Sequence, residues 1–443
     1  MFTLIPKTNL DKFLAQYSEL HSLENINELL LYELNSMYML PRYFYENYPS
    51  ILLNRYIDEN FKPQQVNIEF TGELRKHQKD PLELLERMYN NQGYLNGIFQ
   101  AYPSFGKTVT AAYLSSKFKQ KTLIILDNTK LVEQWIDSYT KFTNLTVDDI
   151  GIFQGTKCQL DKPVIIAMVQ TLLSKVKNSV EEFYIKIRDA GINLVFYDEV
   201  HATSSAPGFC RSTILLNTRN IIGLTATPYV QNVNKILLKN TIGDTLLSVK
   251  DYDSTPSIVL VKYDSGLTKK HGYRMSYSTD FIKKLAYFNS IIYDNPIYLE
   301  NISKAVKKCI EEDRRILILT STEKQVQTIT ANLINKGIDA KPFYSKQRVI
   351  DQEVDKILVA TTKYASKGFD YAQLSALILA CPLQGKISLI QSIGRILRKH
   401  DDKPKPVVYD LIETGFDGLF LKTIQQKVNI YKDEFKTDTI IEL

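Results

Sequence analysis

Two short segments, with Lys107 and Asp198 91 positions apart, hold residue types that could do chemistry together. Ala101-Tyr-Pro-Ser-Phe-Gly-Lys-Thr108 carries Gly106, Lys107 and Thr108, and Phe196-Tyr-Asp-Glu-Val-His201 carries Asp198 and Glu199. A phosphate loop must bring several backbone N–H groups to anionic oxygens and open a helix beneath them. Gly106 permits close backbone approach, Lys107 neutralises β/γ-phosphate charge, and Thr108 offers a hydroxyl to Mg²⁺. A short run, Gly97–Gln100, precedes the loop, and a helix over Val109–Phe118 is expected after it. The full pattern wants glycine at position 101, where this chain has Ala101, so a chance Gly-Lys-Thr at a helix start is the competing reading. The second segment weighs against that reading. Asp198 and Glu199 follow four apolar positions, which puts both carboxylates at the carboxyl end of a buried strand, where α/β sheets bind ligands. There Asp198 can hold Mg²⁺ through water and Glu199 can polarise an attacking water. A site that binds and hydrolyses a nucleoside triphosphate is the expectation.

Such a site needs a parallel sheet to carry it. Between about residue 70 and 229, apolar runs at Leu123–Leu126, Val164–Met168, Leu194–Tyr197 and Ile221–Leu224 alternate with amphipathic stretches. This is the pattern of parallel strands buried between helices. A second series follows at Ile316–Leu319, Ile357–Ala360, Ala376–Ala380 and Val407–Tyr409. The fold class expected is α/β, two tandem parallel-sheet lobes with a small N-terminal accessory domain. The boundaries read as 1–68 for the accessory domain, 69–230 for lobe 1, 231–300 for a connector and 301–443 for lobe 2. Residues 1–65 mix a helical leucine spacing (Leu20, Leu23, Leu29, Leu30) with an aromatic cluster at Tyr38, Tyr43, Phe44, Tyr45 and Tyr48. That cluster reads as accessory core or as a surface for stacking on bases. In the connector, Tyr263–Tyr273 contains Lys269, Lys270, His271 and Tyr273 after an apolar run. It reads as a hairpin or loop able to wedge into a duplex, or as a solvated connector.

At 443 residues the chain is too long for one core. With 44% hydrophobic and 23% charged residues it reads as a soluble globular protein. No apolar stretch reaches the roughly 18–20 residues of a membrane span, so no membrane partner is expected. Met1–Phe13 lacks the apolar core and cleavage site of a signal peptide, and a cytoplasmic location is expected. Cys158, Cys210, Cys309 and Cys381 are scattered with no C-x-x-C and no nearby His pair, so buried reduced thiols are expected and zinc is not. Five Lys/Arg against nine Asp/Glu leave residues 1–70 at −4, so the net charge of +6 places +10 on the rest. A polyanionic partner would therefore meet residues beyond 70.

The order of motifs resembles the superfamily 2 helicases. Asp198-Glu-Val-His201 resembles their DExH box, and Leu224-Thr-Ala-Thr-Pro228 resembles motif III. This implies coupling roles for His201, Thr225 and Thr227. Gln391-Ser-Ile-Gly-Arg-Ile-Leu-Arg398 resembles motif VI, Q-x-x-G-R-x-x-R. Arg75-Lys-His-Gln78 resembles the adenine-reading glutamine motif, which implies Arg75 and Gln78 beside ATP along with Ser104 and Phe105 of the loop. Asp127–Trp135, with Leu131, Val132, Gln134 and Trp135, resembles motif Ia, and Met168-Val-Gln-Thr-Leu172 resembles motif Ic. Lys367-Gly-Phe-Asp370 resembles the end of motif V, implying Gly368 and Asp370 near the nucleotide. The resemblance covers about 75–435 and implies two RecA-like lobes, with ATP and Mg²⁺ as cofactors. Within the superfamily it points to the bacteriophage UvsW-like branch-migration helicases. They carry a Ser-Ala-Gly-Lys type loop and a small domain ahead of the motor, and here the loop reads Ser104-Phe105-Gly106-Lys107. One glycine is lost at Ser104, so a stiffer loop is expected.

Motif VI also has a physical reading. Arg395 and Arg398 are three apart and would share a helix face. A guanidinium pair could reach a γ-phosphate, a contact typically worth about 10³–10⁵ in rate. An exposed basic helix face running on through Lys399 is the competing reading. For the polymer, the family places contacts in motifs Ia, Ic, IV and V. Here that implies Thr129, Lys130, Gln170, Thr171, Thr320, Ser321, Thr361, Thr362 and Lys363. The resemblance implies a monomeric, ATP-driven DNA helicase or translocase acting on forked or junction DNA, 3′ to 5′, in the host cytoplasm if phage-encoded. An RNA helicase and an ATP-switched nucleic-acid scaffold are the alternatives.

Overall fold

The computed structural model describes residues 2–17, 20, 32–200, 212–213, 215–227, 232–249, 252, 254–267, 281–344, 351, 354–365, 371–382, 385–398, 400, 403–416, 418–437 and 439–442. The chain divides into two compact units, Met1–Val249 and Lys250–Leu443.

The first unit opens with an antiparallel sheet of four short strands. These are β1 (Phe2–Pro6), β2 (Tyr32–Leu34), β3 (Met37–Leu40) and β4 (Asn54–Tyr56), in the order β2-β3-β1-β4. Of the leucines whose spacing suggests helices here, Leu23, Leu29 and Leu30 lie outside the described residues; the described part combines these strands with short helical turns at 7–14 and 44–47. It is not a separate accessory domain. Phe2, Tyr32 and Met39 share one apolar cluster with Ile98, Leu123, Phe183 and Val195, and Phe13, Leu40, Phe44 and Tyr48 close over Leu237. Two of the five clustered aromatics are therefore core: Phe44 and Tyr48 are buried, Tyr38 and Tyr43 are half-buried, and Tyr45 is exposed. A polar anchor joins this sheet to the rest of the unit. The buried Arg42 guanidinium donates to the carbonyls of Thr213 and Leu216, each at 2.8 Å, and to that of Thr218.

Behind it stands an eight-stranded sheet. Its strands are β5 (Asn96–Ala101), β6 (Thr122–Leu126), β7 (Ile150–Gln154), β8 (Lys157–Cys158), β9 (Val164–Met168), β10 (Leu194–Asp198), β11 (Asn220–Thr225) and β12 (Thr245–Val249). Their order is β12-β5-β11-β10-β6-β9-β7-β8, parallel apart from β8. β6, β9 and β11 are buried at every residue, as aliphatic runs covered on both faces must be.

The second unit holds a seven-stranded parallel sheet. Its strands are β13 (Ser257–Tyr263), β14 (Arg315–Thr320), β15 (Lys341–Phe343), β16 (Ile357–Thr361), β17 (Leu374–Leu379), β18 (Val407–Glu413) and β19 (Ile440–Glu442), ordered β15-β16-β14-β17-β18-β13-β19. The expected connector over 231–300 does not exist as a separate piece among the described residues. β12 pairs with β5 in the first sheet, and β13 pairs with β18 in the second along all seven of its residues. Among the described residues, no helix is long and apolar enough to cross a membrane.

Candidate nucleotide-binding site

β5, β11 and β10 lie side by side at the centre of the first sheet, and their registers bring Gln100 level with Thr225 and Leu224 level with Asp198. The loop after β5, the turn after β11 and the carboxylates of β10 therefore leave the sheet at one edge. The helix Lys107–Phe118 starts two residues earlier than expected, so Lys107 and Thr108 form its first turn. Lys107 Nζ lies 3.5 Å from Glu199 Oε1, although 92 positions separate them in the chain.

The loop is braced from behind. Gln78 sits in the helix Lys76–Gln92, buried, and its Nε2 donates to the Phe105 carbonyl at 2.7 Å while its Oε1 accepts the Arg75 N–H at 2.9 Å. The Gln78 amide, expected beside the adenine, is engaged at both ends with backbone, where it shapes the loop. Arg75 is exposed next to it. A Cβ on Gly106 would come 2.5 Å from Gln78 Nε2, so only glycine lets the amide and loop approach this closely; its φ of 96° also suits glycine. Phe105 points inward, with ring centroids 5.4 Å from Phe99 and 5.5 Å from Tyr102. Ser104 adopts φ 75°, the left-handed region in which a side chain is strained, at the position where the sequence reading noted a lost glycine.

Asp198 ends β10, and Glu199 after it is likewise left-handed, φ 47°. Asp198 Oδ1 accepts the Glu199 N–H at 3.0 Å and Oδ2 accepts the Trp135 indole N–H at 3.0 Å. Burial, and then the neighbouring Glu199 charge, push the Asp198 carboxyl up to about 6, against the pull of Lys107 and of the Trp135 hydrogen bond. One lysine thus undercompensates two carboxylates. A hard cation with oxygen ligands suits such a pair, and Mg²⁺ is usually held by one or two carboxylates plus substrate phosphates. The residues fit it: Asp198 and the Thr108 hydroxyl would hold Mg²⁺. Among the described residues, no cluster of three or more His, Cys, Asp or Glu is arranged as a metal cage.

Residues 71–230 match the family model described as type III restriction enzyme, res subunit. The chain is 24% identical over 361 residues to the ATP-dependent DNA helicase UvsW of Enterobacteria phage T4, covering 76% of this chain and 68% of that one. It is also 24% identical over 388 residues to a protein of Acanthamoeba polyphaga mimivirus named as an ATP-dependent RNA helicase, covering 85% and 70%. Among solved structures, Dbp5 of S. cerevisiae bound to RNA and ADP BeF3 superposes with a TM-score of 0.53 at 13% identity, covering 83% of this chain and 89% of that one. The chain is thus similar along most of its length to helicases, in line with the superfamily its motifs resemble. Its two parallel sheets have the RecA-like architecture of that superfamily.

The other expected residues fall into three groups. Thr129, Lys130 and Gln170 are exposed beyond the ends of β6 and β9, with Gln170 Nε2 on the Asp127 carbonyl at 2.9 Å. In the second unit Ser321 and Lys363 are exposed and Thr362 is half-buried. Thr171, Thr320 and Thr361 are buried, and Thr320 Oγ1 is turned to the Thr322 carbonyl at 3.2 Å, so these three hydroxyls are not presented to a phosphodiester. Thr225 and Thr227 are also buried, the Thr227 N–H on Thr225 Oγ1 at 3.1 Å closing the turn after β11. His201, Gly368, Asp370 and the candidate wedge Lys269, Lys270, His271 and Tyr273 lie outside the described residues.

Motif VI departs from the sequence reading. The helix Lys386–Gly394 carries Gln391 but stops at Gly394, so Arg395 and Arg398 lie in the turn after it and do not share a helix face. Lys403 closes this turn. Its Nζ donates to the carbonyl of Ile396 at 2.8 Å, to that of Ala372 at 3.3 Å and to that of Arg398, and burial pulls it down to about 8. Sequence reasoning missed two residues. Trp135 was quoted within a motif without a role, although it is the only tryptophan in the chain. Arg42 gave no signal, being one arginine in an acidic stretch.

Proposed function

We propose that this protein is an ATP-dependent DNA helicase or translocase that unwinds or branch-migrates forked and junction DNA, moving 3′ to 5′. The observation that carries the reading is the meeting of Lys107 and Glu199 at 3.5 Å beside Asp198, all at the carboxyl edge of a parallel sheet. Lys107 and the loop N–H groups around Ser104, Phe105 and Gly106 hold the β- and γ-phosphates. Asp198 and the Thr108 hydroxyl would hold Mg²⁺, which would supply neutralisation of the phosphate charge. Glu199 orients and polarises the attacking water, and Arg395 and Arg398, with Gln391, serve turnover as motif VI does in the superfamily. Arg75, Gly368 and Asp370 complete the ATP contacts, and His201, Thr225 and Thr227 link hydrolysis to movement.

Thr129, Lys130, Gln170, Ser321, Thr362 and Lys363 grip the sugar–phosphate backbone, and such contacts position a strand without reading its sequence. Lys269, Lys270, His271 and Tyr273 part the strands. DNA as the track is supported by the phage T4 relative, whose name gives a DNA helicase. The mimivirus relative, named as an RNA helicase, favours a second reading in which RNA is the track. An unwinding assay decides between them: blunt duplex, forks with either single-stranded tail, a four-way junction, and the RNA counterparts, each with ATP and Mg²⁺. Unwinding of forks and junctions of DNA is expected. Unwinding of RNA alone would favour the second reading, and ATP turnover that no nucleic acid stimulates would refute both.

A further inference from the structure

One helix of the first unit is tied to both halves of the nucleotide site. Leu131–Phe142 begins directly after Thr129 and Lys130, the exposed pair proposed to meet the polymer. Trp135 and Tyr139, four residues apart, share its inner face, with ring centroids 6.3 Å apart and both rings buried. The Trp135 indole N–H donates to Asp198 Oδ2 at 3.0 Å. The Tyr139 hydroxyl meets Ser115 Oγ at 2.9 Å on Lys107–Phe118, the helix whose first turn holds Lys107 and Thr108. At the head of the tied helix, the Asp127 carbonyl accepts Gln170 Nε2 at 2.9 Å, which adds the third exposed residue to the same assembly. An apolar side chain would fill the space beside Asp198 as well as an indole does. What the indole adds is a donor that can only donate, so it fixes one carboxylate oxygen in one direction. The other oxygen is already held by the Glu199 N–H at 3.0 Å.

We propose that Trp135 is a positioning residue: its N–H aims the Asp198 carboxylate and makes the Mg²⁺ affinity of the site depend on the stance of the helix Leu131–Phe142, and so on what Thr129 and Lys130 hold. The proposal rests on the reading of Asp198 as the Mg²⁺ carboxylate. Coupling then has a physical carrier, one helix and one hydrogen bond between the polymer-facing turn and the metal carboxylate. Partners of metal ligands in this position typically change metal affinity or activity about 10–100-fold when removed.

The test uses full-length protein, fluorescently labelled ADP and MgCl₂, with and without a saturating single-stranded oligonucleotide. The Mg²⁺ concentration that half-saturates labelled-ADP binding is measured for the wild type, Trp135→Phe and Tyr139→Phe. Trp135→Phe keeps a buried ring and removes only the donor. It is expected to raise that concentration at least about tenfold and to abolish the oligonucleotide's effect on it, while ADP binding in EDTA is unchanged. Tyr139→Phe, which cuts the Ser115 link without touching Asp198, is expected to keep the wild-type Mg²⁺ dependence. Wild-type Mg²⁺ dependence in Trp135→Phe overturns the proposal and leaves the nucleotide site standing. ADP binding that ignores Mg²⁺ in the wild type overturns both. A measurement on the wild type alone needs no variant to fold. Trp135 is the only tryptophan, so its emission should shift when MgCl₂ and ADP are added and stay still with ADP and EDTA. Identical emission in the two arms counts against the proposal.

Discussion

Asp198→Asn should kill turnover and yet stabilise the protein. The folded carboxyl is pushed up to about 6 from an ordinary 3.8, so the folded chain holds that proton more tightly than the unfolded chain does. Stability therefore falls as pH rises through the window from about 4 to about 6, and above it the ionised carboxylate costs its full amount. Two pH units correspond to about 3 kcal/mol. Asparagine keeps one acceptor for the two N–H donors of Glu199 and Trp135, so about 1 kcal/mol is returned through the unsatisfied donor. A net gain of about 2 kcal/mol at pH 8 remains. For a unit of this size that raises its melting temperature by about 4–8 °C. Differential scanning calorimetry in EDTA at pH 8 and pH 4, following the transition of Met1–Val249, is the assay. The gain should be clear at pH 8 and gone or reversed at pH 4. An unchanged or lower melting temperature at pH 8, or an equal gain at both pH values, would refute the argument that burial beside Glu199 strains this carboxylate.

Glu199→Gln removes the charge facing Lys107 but keeps the shape. Labelled-ATP binding should persist while phosphate release drops about 10²–10⁴-fold, and lost binding would contradict the role of Glu199 in water activation. Arg395→Ala should lower phosphate release about 10³-fold with nucleotide binding spared, measured side by side by stopped-flow and labelled-nucleotide titration. Arg42→Met strands three buried carbonyls and should cost about 3 kcal/mol in urea unfolding of the first unit. Lysine at position 42 should fail to restore it, because an ammonium lacks the planar fork. Ser104→Gly should relieve about 1 kcal/mol of left-handed strain and leave phosphate release intact; a loss of stability would show that the serine side chain holds the loop.

The sequence made the parallel strands legible because each is an aliphatic run covered on both faces, and such runs tolerate few other arrangements. Leu123–Leu126, Val164–Met168 and Ile357–Ala360 lie within the strands observed, to within a residue at either end. The nucleotide loop and the strand-end carboxylates were legible for the same reason, since a sheet edge fixes their neighbours. The N-terminal sheet was not. Strands of three to five residues are too short to show alternation, and Leu23, Leu29 and Leu30, on which the helical reading of this segment rests, lie outside the described residues. Nor did charge-rich flanks let β12 and β13 stand out from a linker. Arg395 and Arg398 misled because the apolar pattern of Ile393, Ile396 and Leu397 continues helical spacing past Gly394, where the α-helix ends and a turn with Arg395 as its helical cap follows. Gln78 could be placed near the loop by its motif, but only the fold shows which two backbone groups its amide serves.

The four-stranded sheet at the start of the chain gives the motor part of its own interior. A minimal engine cut at residue 69 would expose the side chains that Phe2, Tyr32 and Met39 now cover, and would strip the arginine from the stretch that leads into β11. Swapping this front piece between cousins, a common shortcut for transplanting substrate preference, would then have to carry its counterpart surface along. Novelty is more cheaply grafted onto the outer edges, β2 and β4, where new strands can be added without reopening the engine block.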